Sequence, residues 1–508
     1  MAAHRFVRST AVVCLMLAAA AAQAQEKRVV DQLLDILRQN KQISDQQYRE
    51  LKQKADQERQ QDMGKAAAPV AVVPAPVATP VTVAAAPSPA APPPPGETMR
   101  AYFKNGFYLE TPGSDFKLQI GGFTQVDWAV TDPSDPVQAA FKINGVGTGV
   151  EFRRARLYLA GNVYKNIDFK FEYDFAEQTG GQPSFKDVYM GMSDIPYVQY
   201  LRVGHFKEPF SLEELTPDTY TTFQERATNN AFAQPGSNVN ASGTDRNTGM
   251  AIYQTYFDQR MELAAGGFRA TVNFGDGFGS DSPYDIAARI SGLPAYDVGN
   301  NLVHVGFSYK HSFRHYSQSA QDTLSFSSRP ESHLFPVNLV NTGQIPADGA
   351  DLINPELAFV RGPLEIQGEY TWAFVDQSDL LCTSPTACTN KAKSNPNFSG
   401  GYVEANYFLT GESRASFYRT QFGHFDRVIP INNFNIDGSH WGAWQIAARF
   451  SRIDLTSKNI NGGALDDVTG GINWYLNPLM RITLNYVWAH REQIGDSNIV
   501  EGRFQLSL

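Results

Sequence analysis

Polar and apolar side chains alternate with a period of two, segment after segment, from residue 116 to residue 508. Successive side chains of a β-strand point to opposite faces, so this pattern commits the chain to strands. Residues 152–175 show it most plainly. Ala155, Leu157, Leu159, Gly161 and Val163 share one face; Arg154, Arg156, Tyr158 and Asn162 share the other. After a polar break at Lys165-Asn166, Ile167, Phe169, Phe171, Tyr173 and Phe175 alternate with Asp168, Lys170, Glu172 and Asp174. The break marks a hairpin. Each strand holds about 10 residues, enough to cross a bilayer when tilted. By itself the hairpin fits a soluble sandwich equally well, so the rest of the chain has to decide.

The same reading along the chain yields sixteen strands: 116–130, the two halves of 152–175, 186–193, 200–206, 250–257, 260–270, 284–292, 302–314, 355–360, 364–375, 401–409, 441–453, 468–476, 480–490 and 500–508. Short turns follow strands 2, 4, 6, 8, 10 and 14, and longer connections follow the odd-numbered strands, 315–351 being read as one long loop. An even strand number with short turns on one side and long loops on the other is the pattern of an outer-membrane barrel, with the short turns in the periplasm. The fold expected is therefore all-β, a transmembrane antiparallel β-barrel of 16 strands, preceded by an N-terminal periplasmic helical segment. One connection breaks the rule. Residues 411–440 lie on the short-turn side and are expected to fold into the pore mouth. The terminal strand places Phe504, Leu506 and Leu508 on one face, an apolar end that suits outer-membrane assembly.

Composition agrees with a barrel. Aromatic residues reach 12%, yet hydrophobic residues are only 42% because a lipid-facing surface is averaged with a wet one. The net charge of −9 gives no support to nucleic-acid binding. Beyond the N-terminus, no apolar run approaches the ~20 residues of a transmembrane helix.

Four segments are expected. Residues 1–24 read as a signal peptide: Arg5 and Arg8 precede an apolar stretch that ends at Ala22-Gln23-Ala24. Residues 25–63 read as a helical or coiled-coil oligomerisation segment. Val30, Leu33, Leu34 and Leu37 form one stripe, and Tyr48, Leu51 and Ala55 another, with Ser44 and Gln47 spaced as a capping box between them. Neither stripe can be buried alone, so self-association as a trimer is expected. Residues 64–98 are an Ala/Pro-rich linker ending in four prolines, and 99–508 form the barrel. Of three cysteines, Cys14 falls in the signal; Cys382 and Cys388 are close enough to read as a disulfide loop in an exported protein. Motifs for nucleophilic, phosphate-loop, dinucleotide or zinc chemistry do not occur, so the chain reads as a non-enzyme without cofactor or metal. His311 and His315 share a strand face and read as rim residues rather than metal ligands.

Several blocks together resemble the phosphate-selective porin O and P family: FKLQIGGFTQVDW, FRRARLYLAGNVYKNIDFKFEYDF, LRVGHFKEPFSLEELT with FQER, LTGE, WGAWQIAARFSRID and GGINWYLNPLMRITLNYV, in that order. The resemblance covers most of 116–508 and implies a sixteen-stranded trimeric porin in outer-membrane lipid. Its implied solutes are small inorganic anions such as phosphate, passing along inward arginines to a constriction lined by Arg and Lys. Carried over residue by residue, Arg153 and Arg154 match an arginine pair on the second strand and Arg226 an arginine of the constriction loop. Phe123 stands where an arginine is implied, Glu214 where a lysine is implied, and Arg289 alone remains of an arginine-dense strand. The candidate pore and anion-binding residues are thus Arg153, Arg154, Arg226, Arg156 and Arg289. The candidate constriction loop, 207–246, carries Lys207, Glu213, Glu214 and Glu225. Charges assigned to the lumen face are nearly balanced, which leaves open a general porin without phosphate specificity, or a barrel anchor whose helices hold peptidoglycan.

Overall fold

The computed structural model describes residues 99–508, apart from 105, 180–181, 237–245, 270–282, 315–321, 385–386 and 391, and of the first 98 residues only Lys52. The expected signal, helical segment and linker therefore lie outside the described residues.

The alternating segments form sixteen strands, each antiparallel to its neighbours. They are β1 Phe116–Pro133, β2 Gly147–Val163, β3 Ile167–Thr179, β4 Gln182–Ile195, β5 Gln199–Phe206, β6 Asn247–Tyr256, β7 Met261–Arg269 and β8 Tyr284–Asp297. There follow β9 Asn301–Phe313, β10 Ile345–Arg361, β11 Leu364–Gln377, β12 Asn397–Phe408, β13 Ala443–Ser457, β14 Ile460–Asn477, β15 Met480–Arg491 and β16 Gly495–Ser507. Pairing of β16 with β1, from Ser497↔Pro133 to Ser507↔Phe123, closes the sheet into a barrel. Closure removes every open edge but one. β16 ends opposite Phe123, and the edge of β1 before it is covered by a hairpin, Arg100–Phe103 with Phe107–Glu110, whose second strand pairs Phe107↔Ile120 to Glu110↔Lys117.

Alternation along each strand now has a physical meaning. Leu157, Phe171, Ile290, Phe307, Ile366, Tyr407, Ile472 and Phe504 are exposed on the outer wall. Arg156, Glu172, Arg289, Lys310, Glu369, Arg449 and Arg503 are buried on the inner one. At the short turn after β2, Tyr164 and Lys165 both take positive φ (50° and 66°), the backbone that suits the twist of a tight hairpin.

Three connections expected to be long are tight instead. β3 and β4 meet across 180–181, β13 and β14 across Lys458-Asn459, and β15 and β16 across 492–494. β10 likewise starts at Ile345, inside the expected loop 315–351. The reason lies in the surroundings. Near the long-loop rim of β13 and β14, the inward residues Ile453, Leu455 and Leu465 are apolar and fully buried, while outward Arg452 pairs with Asp466 at 2.7 Å and Glu492 at 3.3 Å. The faces are inverted: polar outside, apolar inside. Strand pairing continues through the inversion, but the sequence pattern changes phase and hides it.

Those inward apolar residues belong to a core inside the barrel. Phe326, Phe335, Leu339 and Val340 of connection 322–344, Phe210 and Phe232 of connection 207–246, and Val137 of a short helix, α1 (Asp135–Phe141), pack on Leu352, Val375, Phe398, Ile453, Leu465, Val487 and Ile499. Each fully buried phenylalanine there contributes about 1.5–3 kcal/mol by leaving water.

Candidate functional site

Connection 207–246 turns inward from β5 and crosses the lumen. Its only α-helical turn is α2, Leu212–Leu215, among the described residues of this connection. Ser211 caps it, its side chain accepting from the Glu214 N–H at 3.1 Å. Glu369 of β11 accepts the backbone N–H groups of Leu212 (3.1 Å) and Glu213 (2.7 Å), tying the start of the turn to the wall. Three arginines hold the rest. Arg481 donates to the Thr221 carbonyl (2.6 Å), Arg503 to that of Gln224 (2.5 Å) and Arg449 to that of Glu225 (2.8 Å). Arg449 also bridges Glu213 (3.1 Å) and Glu331 (2.5 Å), so one guanidinium joins the wall to two inward connections.

The expected arginine pair owes its geometry to a β-bulge. The β1–β2 register passes from Gln125↔Arg154 to Val126↔Phe152, leaving Arg153 as the extra residue. Strict alternation would send Arg153 to the lipid. The bulge sends both inward. Arg153 grips Glu225 with two hydrogen bonds, 2.9 and 3.0 Å, and Arg154 donates to Gln125 (2.9 Å) and pairs with Asp218 (3.3 Å).

Asp218 is the centre of the cluster. Arg154, Arg156 (2.9 Å) and Arg226 (2.5 Å) all contact its carboxylate. Arg156 further pairs with Asp174 (2.7 Å) and Glu172 (3.1 Å), and Arg503 pairs with Asp127 (2.6 Å) and Glu225 (2.8 Å). Burial alone would raise the Asp218 pKa; the guanidiniums of Arg154, Arg226 and Arg156 overcome it and hold the carboxyl well below its ordinary range. Glu225 is held down in the same way, burial being outweighed by Arg153, Arg154 and Arg503. Both are therefore fixed anions.

The structure thus brings Arg153, Arg154, Arg156, Arg226, Lys207, Glu214 and Glu225 together. Glu214, at the position where a lysine was implied, pairs with Lys207 (2.9 Å) and Arg226 (3.5 Å). Phe123 lies under the Arg156 guanidinium, 5.2 Å from ring centre to carbon. Glu213 points the other way, to Arg449. Its carboxyl is pushed up by burial to about 8, with Arg449 pulling downward and Glu404 and Glu369 adding to the rise. Arg289 stands apart from the cluster, between Glu262 (3.0 Å) and Glu356 (2.6 Å).

Arg289 instead meets the exceptional short-turn connection. Residues 409–442 fold into the barrel, where the Phe422 and Gly423 carbonyls accept from Arg289 at 3.3 and 2.7 Å. Tyr418 bonds to His304 (2.6 Å), and Arg414 pairs with Glu365 (3.3 Å) and donates to the Tyr220 carbonyl (3.2 Å). Connections 207–246 and 409–442 therefore touch. Sequence reasoning missed Glu262, Glu356 and Arg202 as lumen groups, although all three sit at alternating inward positions. The Arg153 bulge carries no sequence signal beyond the arginine doublet. Cys388 is disulfide-bonded, and the register sets Cys382 directly opposite it. His311 pairs with Asp351 at 2.7 Å, a carboxylate partner the sequence reading had not assigned to it. Groups able to hold a metal are absent among the described residues.

Residues 131–508 match the family model described as phosphate-selective porin O and P. The chain belongs to that family. It forms an outer-membrane channel of a Gram-negative bacterium. A porin O of Pseudomonas aeruginosa is 26% identical over 419 residues, 78% of this chain and 88% of that one. An uncharacterized protein of Caulobacter vibrioides is 28% identical over 432 residues, 84% of this chain and 78% of that one. Among solved structures, the outer membrane channel DcaP of Acinetobacter baumannii is similar with a TM-score of 0.47 and 13% identity, covering 78% of this chain and 99% of that one. The anion-selective porin from Comamonas acidovorans is similar with a TM-score of 0.46 and 12% identity, covering 77% and 100%.

Proposed function

We propose that this porin passes small inorganic anions, phosphate among them, as a homotrimer, through a constriction where the wall arginines are partly neutralised by the infolded loop. One observation carries the reading: Arg153, Arg154, Arg156, Arg226 and Arg503 converge within one cluster, against Asp218 and Glu225. Guanidinium groups pair with oxyanions through two parallel hydrogen bonds and keep their charge at any working pH. An approaching phosphate competes with the carboxylates for these donors. Capture is therefore weaker than in a track of bare arginines, and passage is faster. Glu214 and Phe123 favour a second reading, a general porin without phosphate specificity.

Chloride current through purified trimers in planar bilayers separates the two. The first reading expects phosphate to block that current; conductance without block selects the second, and folded trimers that conduct nothing overturn both. Neutralising Arg153, Arg154 and Arg226 leaves their acids uncompensated, so ion preference moves toward cations; an unchanged reversal potential removes the cluster from the pathway. In the same proposal, the signal 1–24 is removed, residues 25–63 lie in the periplasm and assist the trimer, and Cys382 pairs with Cys388. Binding of peptidoglycan that depends on 25–63 would give the barrel an anchoring role as well.

A further inference from the structure

Arg202 is a lumen arginine with no carboxylate partner among the described residues. Arg202 of β5 points inward between outward Leu201 and Val203. Arg153, Arg154, Arg156, Arg289, Arg449 and Arg503 each pair with a carboxylate, and Arg481 binds a loop carbonyl. Among the described residues, Arg202 has no ion-pair partner. Its Nε donates to the Tyr200 hydroxyl at 3.3 Å, and that hydroxyl donates to Asp168 at 2.9 Å. Its two terminal nitrogens make no hydrogen bond to the described residues, and neither is sealed from solvent.

Aromatic rings take the place of a counter-ion. The guanidinium carbon lies 4.2 Å from the ring centre of Tyr189, 5.1 Å from Phe422, 5.3 Å from Tyr253, 5.4 Å from Phe206 and 5.5 Å from Tyr200. Phe422 comes from connection 409–442, its ring 5.6 Å from Tyr253 and 6.0 Å from Tyr200. The hydroxyls of Tyr189 and Tyr253 are also without a hydrogen-bond partner among the described residues, and neither is sealed. Rings stacked on a guanidinium leave its edge N–H groups free, and that edge matches a carboxylate bidentately. The two phenols add donors beside it. Flat apolar walls offer nothing to a strongly hydrated inorganic ion but stack on a planar apolar body.

We propose that Arg202, with Tyr189, Tyr200, Tyr253 and Phe422, forms a lumen subsite for solutes that carry a carboxylate on a flat, apolar body. The carboxylate takes the Arg202 edge, and the ring of the solute lies against the aromatic side chains. The proposal rests on the porin reading, since a solute reaches the site only through an open lumen.

The test uses full-length trimers in planar bilayers and measures block of chloride current by benzoate and, separately, by inorganic phosphate. Wild type is expected to be half-blocked at a lower benzoate than phosphate concentration. Arg202→Gln raises the benzoate value roughly tenfold, the size of one charge-assisted contact, and leaves the phosphate value within about twofold. Arg202→Lys, which keeps the charge and loses the fork, falls between. Tyr253→Leu keeps the guanidinium and weakens benzoate alone, so the proposal stays testable should Arg202→Gln fail to assemble. Equal benzoate block in wild type and both variants overturns the subsite while leaving the porin reading intact. Stronger block by phosphate than by benzoate in wild type overturns the carboxylate assignment. A wild-type trimer without current overturns the porin reading and this one with it.

Discussion

Asp218→Asn is the most informative single change in the cluster of arginines and acids around connection 207–246. The side chain is 3% exposed and contacts Arg154, Arg156 and Arg226. Asparagine preserves its shape and removes one negative charge, leaving the three guanidiniums with fewer acids between them. Breaking a buried charge cluster from one side costs about 3–5 kcal/mol. Part of that is offset, because Arg226 keeps Glu214 and donates to the carbonyls of Glu213 and Thr216, and Arg156 keeps Glu172 and Asp174. The effect on ions follows from Coulomb's law. A unit charge acts on an ion passing at about 8 Å in water with about 0.5 kcal/mol, and screening at 0.1 M salt roughly halves this. Anions gain and cations lose by that amount, so the anion-to-cation permeability ratio rises about two- to threefold. Across a tenfold salt gradient the reversal potential of an otherwise unselective pore then moves by roughly 15 mV toward the anion limit. Reversal potentials of wild type and variant, recorded at the same gradient, supply the comparison, and the heat resistance of the trimer on a gel reports the stability loss. A folded Asp218→Asn trimer with an unmoved reversal potential would refute the placing of this cluster on the conduction path.

Gly423→Ala addresses the other inward connection. Gly423 has φ of +59°, and a Cβ there would lie 2.5 Å from Ser291 Oγ and 2.7 Å from Arg289 Nη1, so the tip is expected to leave its socket and single-channel conductance to rise. Conductance unchanged from wild type means that 409–442 does not limit flow. Glu213, with its folded pKa raised by burial to about 8, binds a proton in the folded state that the unfolded chain has released above about pH 4.5. Barrel stability from this group therefore falls as pH rises from about 4.5 to 8, and Glu213→Gln flattens that slope in a thermal melt. Arg449→Met removes the guanidinium that joins Glu213, Glu331 and the Glu225 carbonyl; loss of about 3–5 kcal/mol is expected, with noisier channels as both connections loosen, and a melt matching wild type counts against the pin.

Sixteen strands and the inward side of nearly every lumen charge were legible because lipid outside and water inside impose one rule on every segment. Arg154, Arg156, Lys170, Glu172, Glu369 and Arg449 all lie where alternation puts them. The rule stops at the edge of the lipid. At Ile453 to Leu465 both environments exchange, and the pattern pointed to a loop where the strands in fact continue. Alternation alone would have sent Arg153 to the lipid, since a bulge shifts the phase by one residue without changing composition; only the family resemblance put it among the pore residues.

By itself, then, the sequence determined the all-β class, the order and direction of the strands, and which face most strand residues take, because period-two patterning is a local property of the chain. What each lumen charge does was decided by tertiary structure alone. The acids of 207–246 lie dozens to hundreds of residues from most of the arginines they neutralise, and whether Asp218 meets Arg154 or water depends on how a connection folds across the barrel. Arg289, read from its strand as part of an anion route, became the socket for Gly423, while Arg202, unremarked in the chain, emerged as a lumen arginine surrounded by five rings and with no acid partner among the described residues. Charge is written in the sequence, but its compensation is a matter of distance, which closure of the barrel and infolding of three connections set.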